Sequence, residues 1–160
     1  MIIFINGSIN SGKSTIAKMI SQKIEKPAVV EIDSLSGFIE WMPIEEKVPI
    51  NLENAVAVIR NFARRNLNVI VPYPLSQKNY DYMMENLKDT NEKMFVFTLS
   101  PKLEIILKNR GERELNDWEI KRIKHHYAVG INNPLFGIII DNSNQTPVET
   151  ATFILEKIKV

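Results

Sequence analysis

Residues 4–15 read Phe-Ile-Asn-Gly-Ser-Ile-Asn-Ser-Gly-Lys-Ser-Thr. Within them, Gly7-Ser8-Ile9-Asn10-Ser11-Gly12-Lys13-Ser14 fits G-x-x-x-x-G-K-[ST] at every fixed position. Each fixed residue type has a physical task. Glycine permits backbone angles, and a closeness of approach, that a side chain would block. Successive N–H groups then form a concave anion nest at the start of a helix. Lys13 is placed to reach β- and γ-phosphates, and the Ser14 hydroxyl to coordinate Mg²⁺. A chain of 160 residues matches this pattern by accident less than about one time in a hundred at ordinary residue frequencies. The match also follows a strand-like run and opens a helical one, so residues 7–15, Thr15 included, are the expected nucleotide cradle.

Two further groups of residues bear on what happens at that cradle. Glu31-Ile32-Asp33 follows an apolar run, and residues two apart in a strand share a face. Both carboxylates are therefore expected to point into a cleft beyond the carboxyl ends of the strands. A carboxylate there can accept a proton from a substrate hydroxyl or hold magnesium through water; alternatively, Asp33 caps the helix that follows. Farther on, Arg110-Gly111-Glu112-Arg113 places two arginines around a glycine. Guanidinium groups suit phosphate oxygens and the charge of a transferring phosphoryl group, and a lid over residues 110–117 would exclude water. The alternative is a solvated turn in which Glu112 and Glu114 partner the arginines.

Other nucleotide chemistries lack their residues. No N-K-x-D guanine motif is present, which argues against a GTPase. The third apolar run ends Val71-Pro72-Tyr73-Pro74 without the acid that a hydrolytic motor carries. The net charge of +1 gives no bulk attraction for nucleic acid or an anionic membrane. There is no cysteine, hence no disulfide, thiolate metal site or cysteine nucleophile, which fits a reducing compartment. The two histidines are adjacent, His125 and His126, and face about 100° apart on a helix. A surface or lid-packing role is expected of them rather than a paired metal site. Met1–Ile5 begins a strand at once, so no signal peptide is expected, and no apolar run approaches the roughly 20 residues of a membrane span. A cytoplasmic setting follows.

The elements that must position these groups alternate. Apolar runs predict strands at 2–6, 28–32, 68–71, 94–99 and 136–140. Helical periodicity predicts helices at 13–25, 34–40 and 52–65, with an irregular, proline-punctuated segment from Trp41 to Pro49 between the last two. Ser76 is expected to cap a helix to about residue 88, and Ser100-Pro101 to cap and open another. Asn116 with Glu119, and Thr146 with Glu149, read as capping boxes, the second with Pro147 at the first helical position. Strands alternating with helices argue one parallel sheet with helices on both faces, over a single domain of residues 1–160.

Taken together, Gly7–Thr15, Asp33 and Arg110–Arg113 resemble the small P-loop kinases of the shikimate kinase, gluconate kinase and chloramphenicol phosphotransferase group. The resemblance implies a three-layer α/β/α sandwich with a five-stranded parallel sheet in the order 2-3-1-4-5 and a short lid. It implies ATP and Mg²⁺, with transfer of the γ-phosphoryl group to a small-molecule hydroxyl and neither nucleic acid nor membrane as partner. The protein would be a monomer or homodimer. Carried over, Lys13 holds the β- and γ-phosphates and Ser14 the metal, with Glu31 and Asp33 as paired acids and Asp33 as base. Arg110 stacks on adenine, Arg113 contacts phosphates, and Pro147 packs on adenine's other face. The acceptor pocket falls in residues 34–66, where Phe38 and Trp41 join Asp33, with Tyr73 opposite. Two features depart from shikimate kinases. The loop interior Ile9-Asn10-Ser11 lacks an extra glycine, and Pro72-Tyr73-Pro74 replaces a glycine-rich substrate segment. Aromatic, weakly charged surroundings suggest a sugar-like, polyol, nucleoside-like or antibiotic-like acceptor. A nucleoside or nucleotide kinase, and a nucleotide-binding regulatory module without turnover, are the alternatives.

Overall fold

The computed structural model describes residues 1–108 and 114–159. Five strands, β1 (Ile2–Gly7), β2 (Pro27–Val29), β3 (Asn68–Pro72), β4 (Met94–Leu99) and β5 (Ile138–Ile140), form one parallel sheet. Their order is β2-β3-β1-β4-β5, as expected. The central strand β1 is buried along its whole length, which is why it reads as an unbroken apolar run. Its register pairs Ile3 with Ile70 on one side and with Phe95 on the other.

Alternate side chains of β1 feed two cores. Ile2 and Phe4 pack with Leu52, Ala55 and Ile59 of α2 (Ile44–Ala63) and with Met83 and Leu87 of α3 (Gln77–Leu87). Ile3 and Ile5 face the other way, onto Ile16, Ala17 and Ile20 of α1 (Lys13–Ser21) and Ala151 and Ile154 of α6 (Pro147–Ile158). At about 1.5–3 kcal/mol for each fully buried large apolar side chain, these four residues contribute on the order of 10 kcal/mol. That is the size of a domain's whole net stability, so the strand carrying the phosphate loop is among the firmest parts of the fold. The remaining helices are α4 (Leu103–Ile106) and α5 (Asp117–Ala128). Among the described residues, no helix is long and apolar enough to cross a membrane.

The expected capping boxes form. Asn116 accepts from the Glu119 backbone at 2.9 Å and Glu119 accepts from that of Asn116 at 3.1 Å. Thr146 and Glu149 exchange the same pair at 3.2 and 2.7 Å. Ser76 caps α3.

Local expectations fail in four places. The segment 41–49 is not irregular: Pro43 is the N-cap of α2, and Pro49 lies inside that helix. Pro49 removes the donor to the Glu45 carbonyl, but Glu45 is exposed and water can serve it. Ser100 does not cap a helix: its N–H donates to Ile140 O at 2.8 Å, which prolongs the sheet, and α4 starts two residues later, behind Lys102. β2 stops at Val29, and a 3-10 helix spans Ile32–Ile39 in place of the strand end and the helix at 34–40. β5 begins only at Ile138, since Gly137 turns at φ 72° and a Cβ there would lie 2.5 Å from Val96 O.

Candidate active site

The phosphate loop leaves β1 where Gly7 still pairs with Leu99 of β4. Gly7 takes φ 142°, and a Cβ there would meet Ser11 Oγ at 2.6 Å and Leu99 O at 2.7 Å. Only glycine fits. Asn10 adopts φ 65°, a left-handed conformation that asparagine tolerates better than most residues. This explains a loop interior without an added glycine. The Asn10 amide also donates to Ile106 O (2.8 Å) and Lys108 O (3.1 Å), which ties the loop to the chain just before residues 109–113. The Lys13 ammonium donates to Ser8 O at 2.8 Å.

Helix α1, like α2 and α4, starts without a side-chain cap, and its N-cap is Gly12. An uncapped helix start carries partial positive charge and aims N–H groups outward. It opens onto a cavity of about 590 Å³. Lys13, Ser14 and Thr15 line the cavity together with Glu31 and Asp33 and with Pro147, Gln145 and Asn142. A cation, two exposed hydroxyls and two carboxylates around one cavity are a donor set that fits a magnesium nucleotide. Gly7 and Ser8 lie beneath this surface rather than on it.

Glu31 and Asp33 reach the cavity by a route other than a shared strand face. Glu31 is extended and forms the N-cap of the 3-10 helix, without a side-chain bond, and Asp33 is in its first turn. Asp33 keeps an open surface, but the protein crowding around the cleft displaces water from it. That desolvation raises its pKa above the ordinary carboxylate value, against the pull of the Lys13 and Arg122 charges. Tyr73 is buried beside this group. Its phenol is pushed up to about 12, first by burial and then by the Asp33 charge, and so stays protonated. Arg122, on α5, acts on both groups, and the sequence reading had not singled it out. Phe38 and Trp41 do not join them: they are 84% and 80% exposed and line no part of the cavity. Arg110 and Arg113 lie outside the described residues.

Three buried side chains support the loop. Asn6 uses its whole amide: Oδ1 accepts from Gly7 N and Leu75 N, both at 2.7 Å, and Nδ2 donates to Thr98 Oγ1 and Ile131 O. Asn142 donates to Ser11 O at 3.0 Å, joining the segment before α6 to the loop. The expected surface or lid-packing role of the histidine pair does not hold for His126. It is buried, with Nδ1 3.0 Å from Ser8 Oγ, while His125 remains exposed. The clue was present, because His126 lies three residues after Ile123 and both fall on the buried face of α5.

Comparison with known proteins agrees with this geometry. No curated protein sequence matches the chain significantly. Among solved structures, the tunicamycin resistance protein of Deinococcus radiodurans superposes with TM-score 0.71 at 19% identity, over 99% of this chain and 95% of that one. A sugar kinase from Janibacter sp. gives TM-score 0.73 at 17% identity, over 97% and 92%. The APS kinase of Mycobacterium tuberculosis, in complex with AMPPNP and APS, gives 0.70 at 18%, over 99% and 97%. At these identities the likeness is one of fold, that of the P-loop kinases. The family model described as chloramphenicol phosphotransferase-like protein matches residues 1–159, and the chain belongs to that family.

Proposed function

We propose that this protein is an ATP- and magnesium-dependent kinase that phosphorylates a hydroxyl of a small sugar-like, polyol or antibiotic-like molecule. One observation carries the reading: Asp33 and Lys13 line the same cavity, close enough for the Lys13 charge to act on the Asp33 carboxyl. A nucleotide-binding module without turnover has no need of a carboxylate there. The family membership and the kinase neighbours support the same reading.

The uncapped start of α1, Lys13 and the hydroxyls of Ser14 and Thr15 hold the nucleotide phosphates. Pro147 and Gln145 border the space for the base; the roles expected of Arg110 on adenine and Arg113 on phosphates fall outside the described residues. Magnesium, when bound by Ser14 and, through water, by Glu31 or Asp33, supplies neutralisation of phosphate charge. Asp33 takes the acceptor's hydroxyl proton as its oxygen forms the new bond to phosphorus and the bond to ADP breaks. A raised pKa makes Asp33 the better proton acceptor. Tyr73, still protonated, donates toward the same region, and Arg122 balances charge there. In this reading the acceptor is met by residues within 34–66, and the lid is assigned to residues 110–117, of which 110–113 lie outside the described residues.

The test is ADP release with ATP, Mg²⁺ and a panel of sugars, polyols, nucleosides and hydroxyl-bearing antibiotics. An acceptor that raises turnover in the wild type and not in Lys13→Ala supports the kinase. A wild type that binds MgADP yet responds to no acceptor supports the binding module instead.

A further inference from the structure

The Ser8–His126 pair lies beneath the cavity and has no part in the chemistry just described. Ser8 is wholly buried and His126 nearly so, at 3% exposure, and they come from positions 118 residues apart. Ser8 is a junction. Its hydroxyl meets His126, while its carbonyl accepts from the Lys13 ammonium at 2.8 Å and from Ser11 N at 3.3 Å. A shift of Ser8 therefore displaces the resting place of Lys13 and the turn leading to Gly12. His126 is a junction as well. Its carbonyl accepts from Ile131 N at 3.0 Å, and Ile131 O accepts from Asn6, whose other end holds Gly7 N. The end of α5 thus grips both residues at the root of the phosphate loop, Gly7 through the backbone route and Ser8 through the imidazole. On the same helix, one turn earlier, Arg122 acts on Asp33 and Tyr73. Residues i and i+4 share a helix face, so whatever fixes His126 also fixes where the Arg122 side chain leaves the helix.

We propose that His126 is a positioning residue: through Ser8 it sets the phosphate loop, and through α5 it holds Arg122 in step with that loop. The proposal rests on the kinase reading above only in taking the loop as a nucleotide site. Burial then explains why a histidine suits the position. Desolvation, followed by the charges of Arg122, Lys13 and His125, lowers its pKa to about 4, so the ring stays neutral. A neutral ring has one donor and one acceptor nitrogen and can pair with a hydroxyl in either sense.

The test is MgADP affinity by titration calorimetry, for wild type, His126→Ala, His126→Asn, Ser8→Ala and the double variant Ser8→Ala/His126→Ala. The expected result is roughly tenfold weaker binding in each alanine variant, equivalent to about 1.4 kcal/mol. The double variant should be no weaker than either single one, as for two ends of one contact. Asparagine, which keeps a polar atom near the Nδ1 position, should restore most of the affinity, a rescue that lost packing alone would not give. With only two histidines in the chain, nitrogen NMR of the imidazoles adds a direct signature: the His126 signal should move when MgADP binds and that of exposed His125 should not. If His126→Ala does not fold, Ser8→Ala breaks the same contact from the loop side. Wild-type MgADP affinity in folded Ser8→Ala, and in His126→Ala where that variant folds, overturns the positioning role alone. No MgADP binding by the wild type overturns it together with the kinase reading.

Discussion

The proposed donor wall of the cleft is a single run of chain, residues 9–15, rooted on buried Gly7 and Ser8, while the groups proposed for the acceptor side come from three separate places. Glu31 and Asp33 come from the start of a 3-10 helix, Tyr73 from just beyond β3, and Arg122 from α5. On the donor side, backbone angles fix the geometry: Gly7 at φ 142°, Asn10 at 65° and Gly12 at 100°. On the acceptor side, the packing of α5 and the 3-10 helix fixes it, and the residues are of types that also occur on any solvated surface. The comparison teaches that the shape of the proposed phosphate loop is built into local backbone geometry, where few substitutions are tolerated. The acceptor end can vary while the donor end stays the same.

The largest expected effect tests whether the two walls are functionally separate. Asp33→Asn should lower acceptor-dependent turnover by about 10²–10⁴-fold, the range for losing a general base, and leave MgADP affinity within about twofold. Its thermal stability should hold or rise at pH 7. The folded pKa of Asp33 lies above its unfolded value, so the folded state resists ionisation and stability falls as pH rises through that window. Unchanged turnover in Asp33→Asn removes it as the base, and a parallel loss of MgADP affinity breaks the separation of walls.

His126 joins the walls, and its burial makes a pH prediction. Its folded pKa, about 4, lies below the ordinary imidazole value of 6.5. The unfolded chain therefore binds the proton first as pH falls. The neutral ring's stabilising share is complete above about 6.5 and declines toward pH 4, by at most about 3 kcal/mol. The groups that disfavour its protonation are Arg122 and His125 on its own helix and Lys13 on α1. Denaturant titrations between pH 7 and 4.5 should show this loss in the wild type and a smaller one in His126→Asn. Equal slopes for the two proteins count against a buried neutral histidine.

A smaller effect probes the donor wall alone. Gly7→Ala forces a Cβ against Ser11 Oγ and Leu99 O at a positive φ, and should cost about 2 kcal/mol of stability together with MgADP affinity. Gly12 has open space around its Cβ position and differs only in φ, so Gly12→Ala should be milder in stability. The reverse order would place the constraint in the angle rather than the contact.

The smallest effect sharpens the acceptor side. Trp41 is 80% exposed, so Trp41→Ala should change stability by less than about 0.5 kcal/mol and leave MgADP affinity alone. If residues 34–66 meet the acceptor there, KM for the acceptor rises by several-fold with thermal stability unmoved. An unchanged KM takes Trp41 out of the acceptor site.

Much of the framework was legible because it depends on neighbours in sequence. Capping boxes at Asn116 and Thr146 involve residues three apart, and the unbroken apolar run of β1 records burial on both faces. The failures share a cause as well. Pro49 breaks an isolated helix, but Asn51, Leu52, Ala55 and Val56 bury one face and carry α2 through it. Ser100 has the chemistry of an N-cap, yet a sheet bond to Ile140 claims its N–H. In each case a long-range contact outweighed a local preference worth about 1–3 kcal/mol. Asp33 was found at the right place for an incomplete reason: both acids face the cavity, but a turn rather than a strand puts them there.

By itself the sequence determined the parallel sheet, its covering helices and the nucleotide cradle, because these follow from periodicity and from backbone angles that few residue types permit. It also marked Asp33 as a candidate acid. Only the tertiary structure decided that Trp41 and Phe38 line no part of the cavity, that the Arg122 charge reaches Asp33, and that His126 meets Ser8. Those are distances between residues far apart in the chain. Residue type carries no record of them until the helices have packed on the sheet.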